Sequence, residues 1–482
     1  MSVKEQATRS VFWSAVERFS AQAVQFSLSI IIARILSPSD YGTIAMLSIF
    51  MAIAQTFIDS GFAIALIQKK NKTEADYSTV FYFNIIVAIV TYLLLYFSSP
   101  FIADFYNMEI LDKITKAFGL TLIISSFGIV QQARLTIALD FKKQAYASLI
   151  AITVSGIIGI IMAYTGYGVW ALVYQALFNS FLNVACMWIF SKWLPKLIFS
   201  LQSFRQLFGF GSKLLLSTLL HTVYTNIYTL IIGKLFASSE LGYYNRSLTI
   251  AQLPSINLTN VIVRAIYPIQ CRMQDDMEQL NDFFLKYLRM SCYIIFPVMV
   301  ALCALSQPLI ITLLTSKWLP AAPMLQLLSL AFLFEPIMRI NHNMLNVKGR
   351  TDYFLYAEII KKIVAVLILV ITIPFGVYYM CAGLVAYSIA DIIIIVHYSK
   401  KITRISLLTQ FRALFPIFIL TFSMGSIMYL ITLIHSISPL LQLCIASILG
   451  TCYFIFISWI FQFKELKIII SSLQNLIKSK RQ

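Results

Sequence analysis

Residues 34–42 read Arg-Ile-Leu-Ser-Pro-Ser-Asp-Tyr-Gly, and residues 234–242 read Lys-Leu-Phe-Ala-Ser-Ser-Glu-Leu-Gly. Each copy closes an apolar run with a basic residue, then supplies serine, an acid and a glycine. Glycine accepts positive φ, so a turn is expected at Gly42 and at Gly242. Fainter echoes follow in the same order. Ser99-Pro100-Phe101-Ile102 resembles Gln307-Pro308-Leu309-Ile310, and Ala138-Leu139-Asp140-Phe141-Lys142 resembles Met344-Leu345-Asn346-Val347-Lys348. Ala171-Leu172-Val173 and Gly383-Leu384-Val385 continue the series. Chance likeness between apolar helices would not keep this order, so the chain reads as a duplication.

The surroundings set the scale of each copy. Of 482 residues, 59% are hydrophobic and 12% charged, and the mean hydropathy is +0.82. Soluble domains carry roughly 25% charged residues, so neither a soluble nor a disordered chain fits. The apolar residues recur in runs of about 20, the length of a bilayer-spanning helix. Fourteen runs are legible, near 11–36, 42–67, 79–98, 114–133, 145–165, 168–190, 212–235, 243–266, 287–306, 320–341, 355–373, 378–398, 413–434 and 439–461. The expected fold is an all-α polytopic membrane protein. It has two six-helix lobes, 1–205 and 206–412, then two extra helices and a basic tail over 413–482. Six is even, so the lobes run in the same direction across the membrane. Parallel repeats of this kind frame a central substrate site in transporters.

The formal charge of +17 could suggest nucleic acid. With the N-terminus inside, however, only Arg34, Lys113, Lys116, Lys234, Arg246 and Lys317 lie outside or at outer ends. The other 31 of the 37 Lys and Arg fall on the cytoplasmic side. That is the positive-inside bias of membrane topology, and no nucleic-acid partner is needed.

Polar residues inside the runs mark candidate sites. Arg18, Gln22, Gln25 and Ser29 recur at the spacing of one helix face. Adding 200 gives Thr218, Thr222, Thr225 and Thr229, flanked by Ser217 and His221. The second run contributes Ser48, Gln55 and Asp59, and the eighth Asn257, Asn260 and Arg264. Polar groups are costly in lipid and face a bundle interior or a wet cavity. Helix–helix hydrogen bonding is the plainer reading; matching stripes in both halves favour a shared polar cavity. Glu17, Asp59 and Asp391 are candidates for proton coupling. A charge at the bilayer centre costs about 2.5–3.5 kcal/mol on insertion scales, so Asp391 is not expected to face lipid. A proton site, an ion-pair acid and a protonated structural acid all remain open for it. Glu335 and Arg339, four apart, read as a local ion pair.

Other residue types carry no chemistry. Six of the seven cysteines sit in or beside apolar runs, and none forms a CxxC pair. All six tryptophans fall near run ends, as in an aromatic belt. The four histidines show no metal-ligand spacing, and neither a P-loop nor GxSxG appears. The longest outside loops, near 99–113 and 307–319, hold no catalytic cluster. No catalytic residue, metal ligand or cofactor is assigned. The first run lacks a small-residue cleavage site and is expected to be retained as a span.

The Arg34–Gly42 stretch closing the first run resembles the polysaccharide-transport branch of the multidrug/oligosaccharidyl-lipid/polysaccharide exporter superfamily. Asp59-Ser60-Gly61-Phe62 and Gly166-Tyr167-Gly168-Val169-Trp170-Ala171-Leu172-Val173 are similar to that branch's patterns. The likeness is closest to Wzx-type flippases, including colanic-acid and O-antigen exporters. It implies two lobes around a cleft and export of an undecaprenyl-diphosphate-linked oligosaccharide across the bacterial inner membrane. Membrane lipid, a polysaccharide polymerase and glycosyltransferases are the implied partners. Arginine's planar fork suits a diphosphate, which marks Arg18 and Arg264 for the head group and the polar stripes for the glycan. A cation-coupled multidrug exporter and a lipid II flippase share the superfamily. A membrane polymerase or ligase would need positioned catalytic groups that the short loops do not offer.

Overall fold

The structure, a computed structural model, describes residues 20–59, 62–69, 71–434 and 436–479. Among them the regular structure is helical, with no strand. The chain runs through α1 (Ser20–Ile35), α2 (Pro38–Asp59), α3 (Phe62–Gln68), α4 (Glu74–Tyr106), α5 (Ile110–Ser126), α6 (Ile129–Ile137), α7 (Phe141–Tyr164), α8 (Val169–Ser191) and α9 (Leu201–Leu235). It continues through α10 (Ser238–Arg272), α11 (Met277–Ala304), α12 (Ser306–Leu314), α13 (Ala321–Leu333), α14 (Glu335–Val347), α15 (Thr351–Thr372), α16 (Val377–Thr403), α17 (Leu407–Thr432), α18 (Pro439–Ile460) and α19 (Lys464–Ser479).

Ten stretches among the described residues are long and apolar enough to cross a membrane. They are α2 with α3, α4, α5 with α6, α7, α8, α11, α13 with α14, α16, α17 and α18. The protein is therefore a multi-pass membrane protein. Helix α1 is apolar but shorter. Helices α9, α10 and α15 are long and carry polar groups within their length: the threonine stripe, the Asn257–Arg264 face, and the charges of Glu358, Lys361 and Lys362.

The chain forms two compact units, the first ending at Gly242 and the second beginning at Tyr243. In the first, α7 packs on α8, α4 on α5, and α2 on α9. Phe62, Leu66, Val80, Phe81, Val130 and Trp193 form one of its buried clusters. In the second, α11 packs on α17, α17 on α18, and α16 on α13, α14 and α15. Its core gathers Phe284, Leu288, Phe296, Ile340, Leu414 and Ile417.

Both copies of the opening motif start a helix and make no glycine turn. At the first, Ser37 Oγ accepts from Asp40 N at 3.2 Å, and Asp40 Oδ2 accepts from Ser37 N at 2.9 Å. This reciprocal box, with proline at the first helical position, begins α2. Gly42 and Gly242 are helical and serve close packing. A Cβ on Gly42 would lie 1.7 Å from the Ser238 carbonyl oxygen, and one on Gly242 would lie 2.0 Å from that of Pro38. Ser39 Oγ and Ser238 Oγ lie 2.6 Å apart. The two motifs thus sit against each other, and glycine's missing side chain permits the approach.

Two further expectations change. The stretch 99–113 is no loop. Helix α4, opened by a Thr73/Asp76 capping box, runs to Tyr106 and ends on left-handed Asn107, and α5 follows at once. Likewise α12 fills much of 307–319. Trp318 is fully buried and Trp193 nearly so. These two act as core residues, and only tryptophans such as exposed Trp459 suit a belt.

Candidate functional site

A cavity of about 380 Å³ opens in the first unit. Thr56 and Asp59 of α2, Gln132 and Thr136 of α6, and Thr218 of α9 give it polar walls. Ile64, Ile67 and Leu215 complete it with apolar ones. Gln55 Nε2 donates to Asp59 Oδ1 at 2.8 Å, one turn away on the same helix face. Thr56 Oγ1 and Thr222 Oγ1 are 3.2 Å apart, tying α2 to α9. Asp59 is exposed to this space and has no cationic partner among the described residues. Its charge is offset by a neutral amide alone, so it stays available to a proton, a cation or sugar hydroxyls.

The second unit holds a different arrangement. Asp391 of α16 is 5% exposed. Lys361 of α15 places Nζ 3.2 Å from Asp391 Oδ2 and 2.9 Å from Glu358 Oε1. His342 of α14 lies 3.6 Å from Glu358 Oε1, its ring against Phe354. One lysine therefore serves two carboxylates. Asp391 Oδ1 and His342 Nε2 are buried without hydrogen-bond partners among the described residues. Such a group is balanced only while the lysine stays in place, because a lone buried charge is far more costly than a paired one.

The sequence-marked residues divide as follows. Asp59 and Thr218 line the first cavity, and Thr222 meets Thr56 of its wall. Gln22 is half-buried and Gln25 exposed on α1; neither lines that cavity. His221 is exposed on α9, and the hydroxyl of Thr225 donates back to the His221 carbonyl at 3.0 Å. On α10, Asn257 Nδ2 donates to Leu253 O at 2.8 Å, Asn260 is half-buried, and Arg264 is exposed without an acidic partner among the described residues. Glu17 and Arg18 lie outside the described residues. Arg339 Nε meets Glu335 Oε1 at 2.6 Å, the local pair expected.

Sequence reasoning missed Lys361, Glu358 and His342. Lys361 was counted among the cytoplasmic cations, yet its side chain is only 12% exposed and pairs within the helix bundle. The signal was present: a lysine three residues after a glutamate, inside the apolar run 355–373. Thr56 was missed as well, since a lone threonine has no distinctive spacing.

Comparisons with known proteins agree with this architecture. A family model described as "Polysaccharide biosynthesis protein" matches residues 31–323. The teichuronic acid biosynthesis protein TuaB of Bacillus subtilis is 24% identical over 435 residues, covering 90% of each chain. The lipopolysaccharide biosynthesis protein WzxC of Escherichia coli is 25% identical over 358 residues, 73% of this chain and 72% of that one. Among solved structures, the lipid II flippase MurJ in an inward closed conformation superposes with a TM-score of 0.76 at 16% identity, covering 93% of this chain and 98% of that one. That likeness establishes a shared fold, and the family match covers more than half of the sequence: the chain belongs to the polysaccharide biosynthesis protein family.

Proposed function

We propose that this protein is a flippase that moves undecaprenyl-diphosphate-linked oligosaccharide units across the bacterial inner membrane for surface polysaccharide synthesis. The carrying observation is family membership joined to a polar, carboxylate-bearing cavity inside apolar helices. Neither a diphosphate nor a glycan enters hydrocarbon readily, so a carrier must supply hydrogen bonds where lipid has none. Thr56, Asp59, Gln132, Thr136 and Thr218 offer donors and acceptors suited to sugar hydroxyls. Gln22, Gln25, His221, Thr222 and Thr225 add polar groups along α1 and α9 of the first unit, and Asn257 and Asn260 do the same along α10 in the second. Arg18 and Arg264 contact the diphosphate, and the exposure of Arg264 without an acidic partner supports its share. Asp59, Asp391 and Glu17 are the groups for proton coupling.

The proposed frame has fourteen spans, counting polar α9, α10 and α15 and the run containing α1. They form two six-helix lobes, 1–205 and 206–412, with a tail segment over 413–482. The reciprocal fit of the Gly42 and Gly242 motifs supports the duplication behind this reading. Both termini are cytoplasmic, as the positive-inside bias asks. Transport proceeds by alternating access, without a catalytic step on the cargo. A polymerase and glycosyltransferases act before or after it.

The test is deletion of the gene in its host, followed by mass spectrometry of undecaprenyl-linked glycans. The expected result is one complete repeat unit accumulating on the cytoplasmic face, with loss of a surface polysaccharide. Altered drug sensitivity without accumulation would replace this reading with a multidrug exporter. Periplasmic, unpolymerised units would replace it with an enzyme acting after the flip. Complementation by Arg18→Ala and Arg264→Ala at wild-type levels would remove the diphosphate assignment.

A further inference from the structure

A cavity in the second unit is separate from every residue assigned above. It measures about 900 Å³ and lies among α11, α17, α18 and α19. Its body is apolar, with Ile419, Leu420, Ile457 and Phe461 on its walls. Its polar end holds Lys286 and Arg289 of α11 and Lys464 and Glu465 of α19.

These four charged groups are not equivalent. Arg289 is already used: Nε donates to Glu465 Oε1 at 2.6 Å, and a terminal nitrogen donates to the Ala413 carbonyl at 2.6 Å. That pair ties α19 to α11. Lys286 and Lys464 are exposed and have no carboxylate partner among the described residues. Glu465 is 3% exposed, yet its second oxygen, Oε2, has no hydrogen-bond partner among the described residues. With Arg289 and Glu465 offsetting each other, the site keeps two positive charges and one free, buried acceptor.

The position along the chain gives the depth. Lys286 stands just before the apolar run 287–306, and Lys464 just after the run 439–461. Both therefore fall at the level of lipid head groups, where the apolar part of the cavity gives way to charge. Basic pockets between membrane helices at that depth suit acidic head groups.

We propose that this cavity binds one molecule of an anionic phospholipid with a hydroxylated head group, phosphatidylglycerol in class. Its phosphodiester lies between Lys286 and Lys464. A glycerol hydroxyl donates to Glu465 Oε2. An acyl chain runs along Ile419, Leu420 and Ile457. The lipid adds to the hold of amphipathic α19 on the bundle, beside the Arg289–Glu465 pair and the packing of Leu466 and Ile469 on the core. Charge complementarity selects this occupant: a choline head group would bring an ammonium toward two lysines and has no hydroxyl for Glu465.

Native mass spectrometry of the purified full-length protein tests the site, with lipid binding and not transport as the readout. Dioleoyl phosphatidylglycerol, phosphatidylethanolamine and phosphatidylcholine are titrated separately. One equivalent of phosphatidylglycerol is expected at a roughly tenfold lower concentration than phosphatidylcholine. Lys286→Gln/Lys464→Gln should abolish that preference. Ser423→Trp, at a lining position, should block the site for all three lipids, with a thermal melt confirming that each variant is folded. Equal binding of the three lipids overturns the proposal, as does an unchanged preference in the double variant. Tighter binding of phosphatidylethanolamine would make Glu465 a site for an ammonium and overturn it. One-for-one displacement of phosphatidylglycerol by a polyprenyl phosphate would make the cavity part of the cargo path and also overturn it.

Discussion

Asp59 and Asp391 are both carboxylates inside apolar helices, yet their surroundings differ in kind. Asp59 opens onto a cavity and receives one hydrogen bond from a neutral amide. Asp391 is buried and shares a lysine with Glu358. The first group can change its partner without disturbing the helices around it. The second is part of what holds α15 to α16. An intramembrane acid is thus a functional candidate by default, but its neighbours decide whether it is free to act.

Breaking the buried group should have the largest effect. Lys361→Met strands two carboxylates, and removing one partner of a buried pair costs about 3–5 kcal/mol. Thermal melts in detergent should show a large loss, restored in part in Lys361→Met/Asp391→Leu, where Glu358 alone is left without its lysine. A single variant as stable as wild type would mean that Asp391 does not depend on its pair. Next comes packing that neither acid touches. Gly42→Ala places a Cβ 1.7 Å from a backbone carbonyl oxygen, and such overpacking costs about 1–3 kcal/mol. The melt of this variant should fall between those of Lys361→Met and wild type, and a neutral result would break the proposed close approach of the two motifs.

Asp59→Asn should separate function from stability. The amide keeps a partner for Gln55, so the melt should barely move. Export of the polysaccharide should fall about tenfold, equivalent to about 1.4 kcal/mol. A melt that drops as far as that of Lys361→Met would erase the contrast between the two acids. The smallest effect belongs to a carboxylate outside the apolar runs. Arg350 beside Asp352 holds its carboxyl down from 3.8 to about 2. A depressed pKa contributes stability above the unfolded value and loses it as pH falls through the folded one. Asp352→Asn should therefore lower the melt slightly above pH 3.8, with the difference closing toward pH 2. A pH-independent difference would rule out this pair as its source.

Much of the membrane fold was legible because hydrophobic burial acts through local runs. A span needs about 20 apolar residues, and ten stretches among the described residues answer to that demand. The stripe spacing likewise put Thr218 and Thr222 on the face of α9 that meets α2. Legibility failed where a residue's role depends on distant chain. Lys361 reads as one more topological cation until α16 brings Asp391 beside it. Gly42 reads as a turn until Ser238 arrives, because a missing side chain specifies closeness without naming the neighbour. The loop near 99–113 failed for a local reason: low hydropathy ended the span, while caps at Thr73 and Asn107 carried the helix further.

The sequence by itself determined that this is a multi-pass helical membrane protein of the polysaccharide-transport kind, since lipid tolerates few other backbones and the motifs are contiguous. Tertiary structure alone decided which intramembrane charges are spoken for. Burial and pairing are set by how one helix packs on another, and no local pattern encodes the 3.2 Å between Lys361 and Asp391, which stand on successive helices.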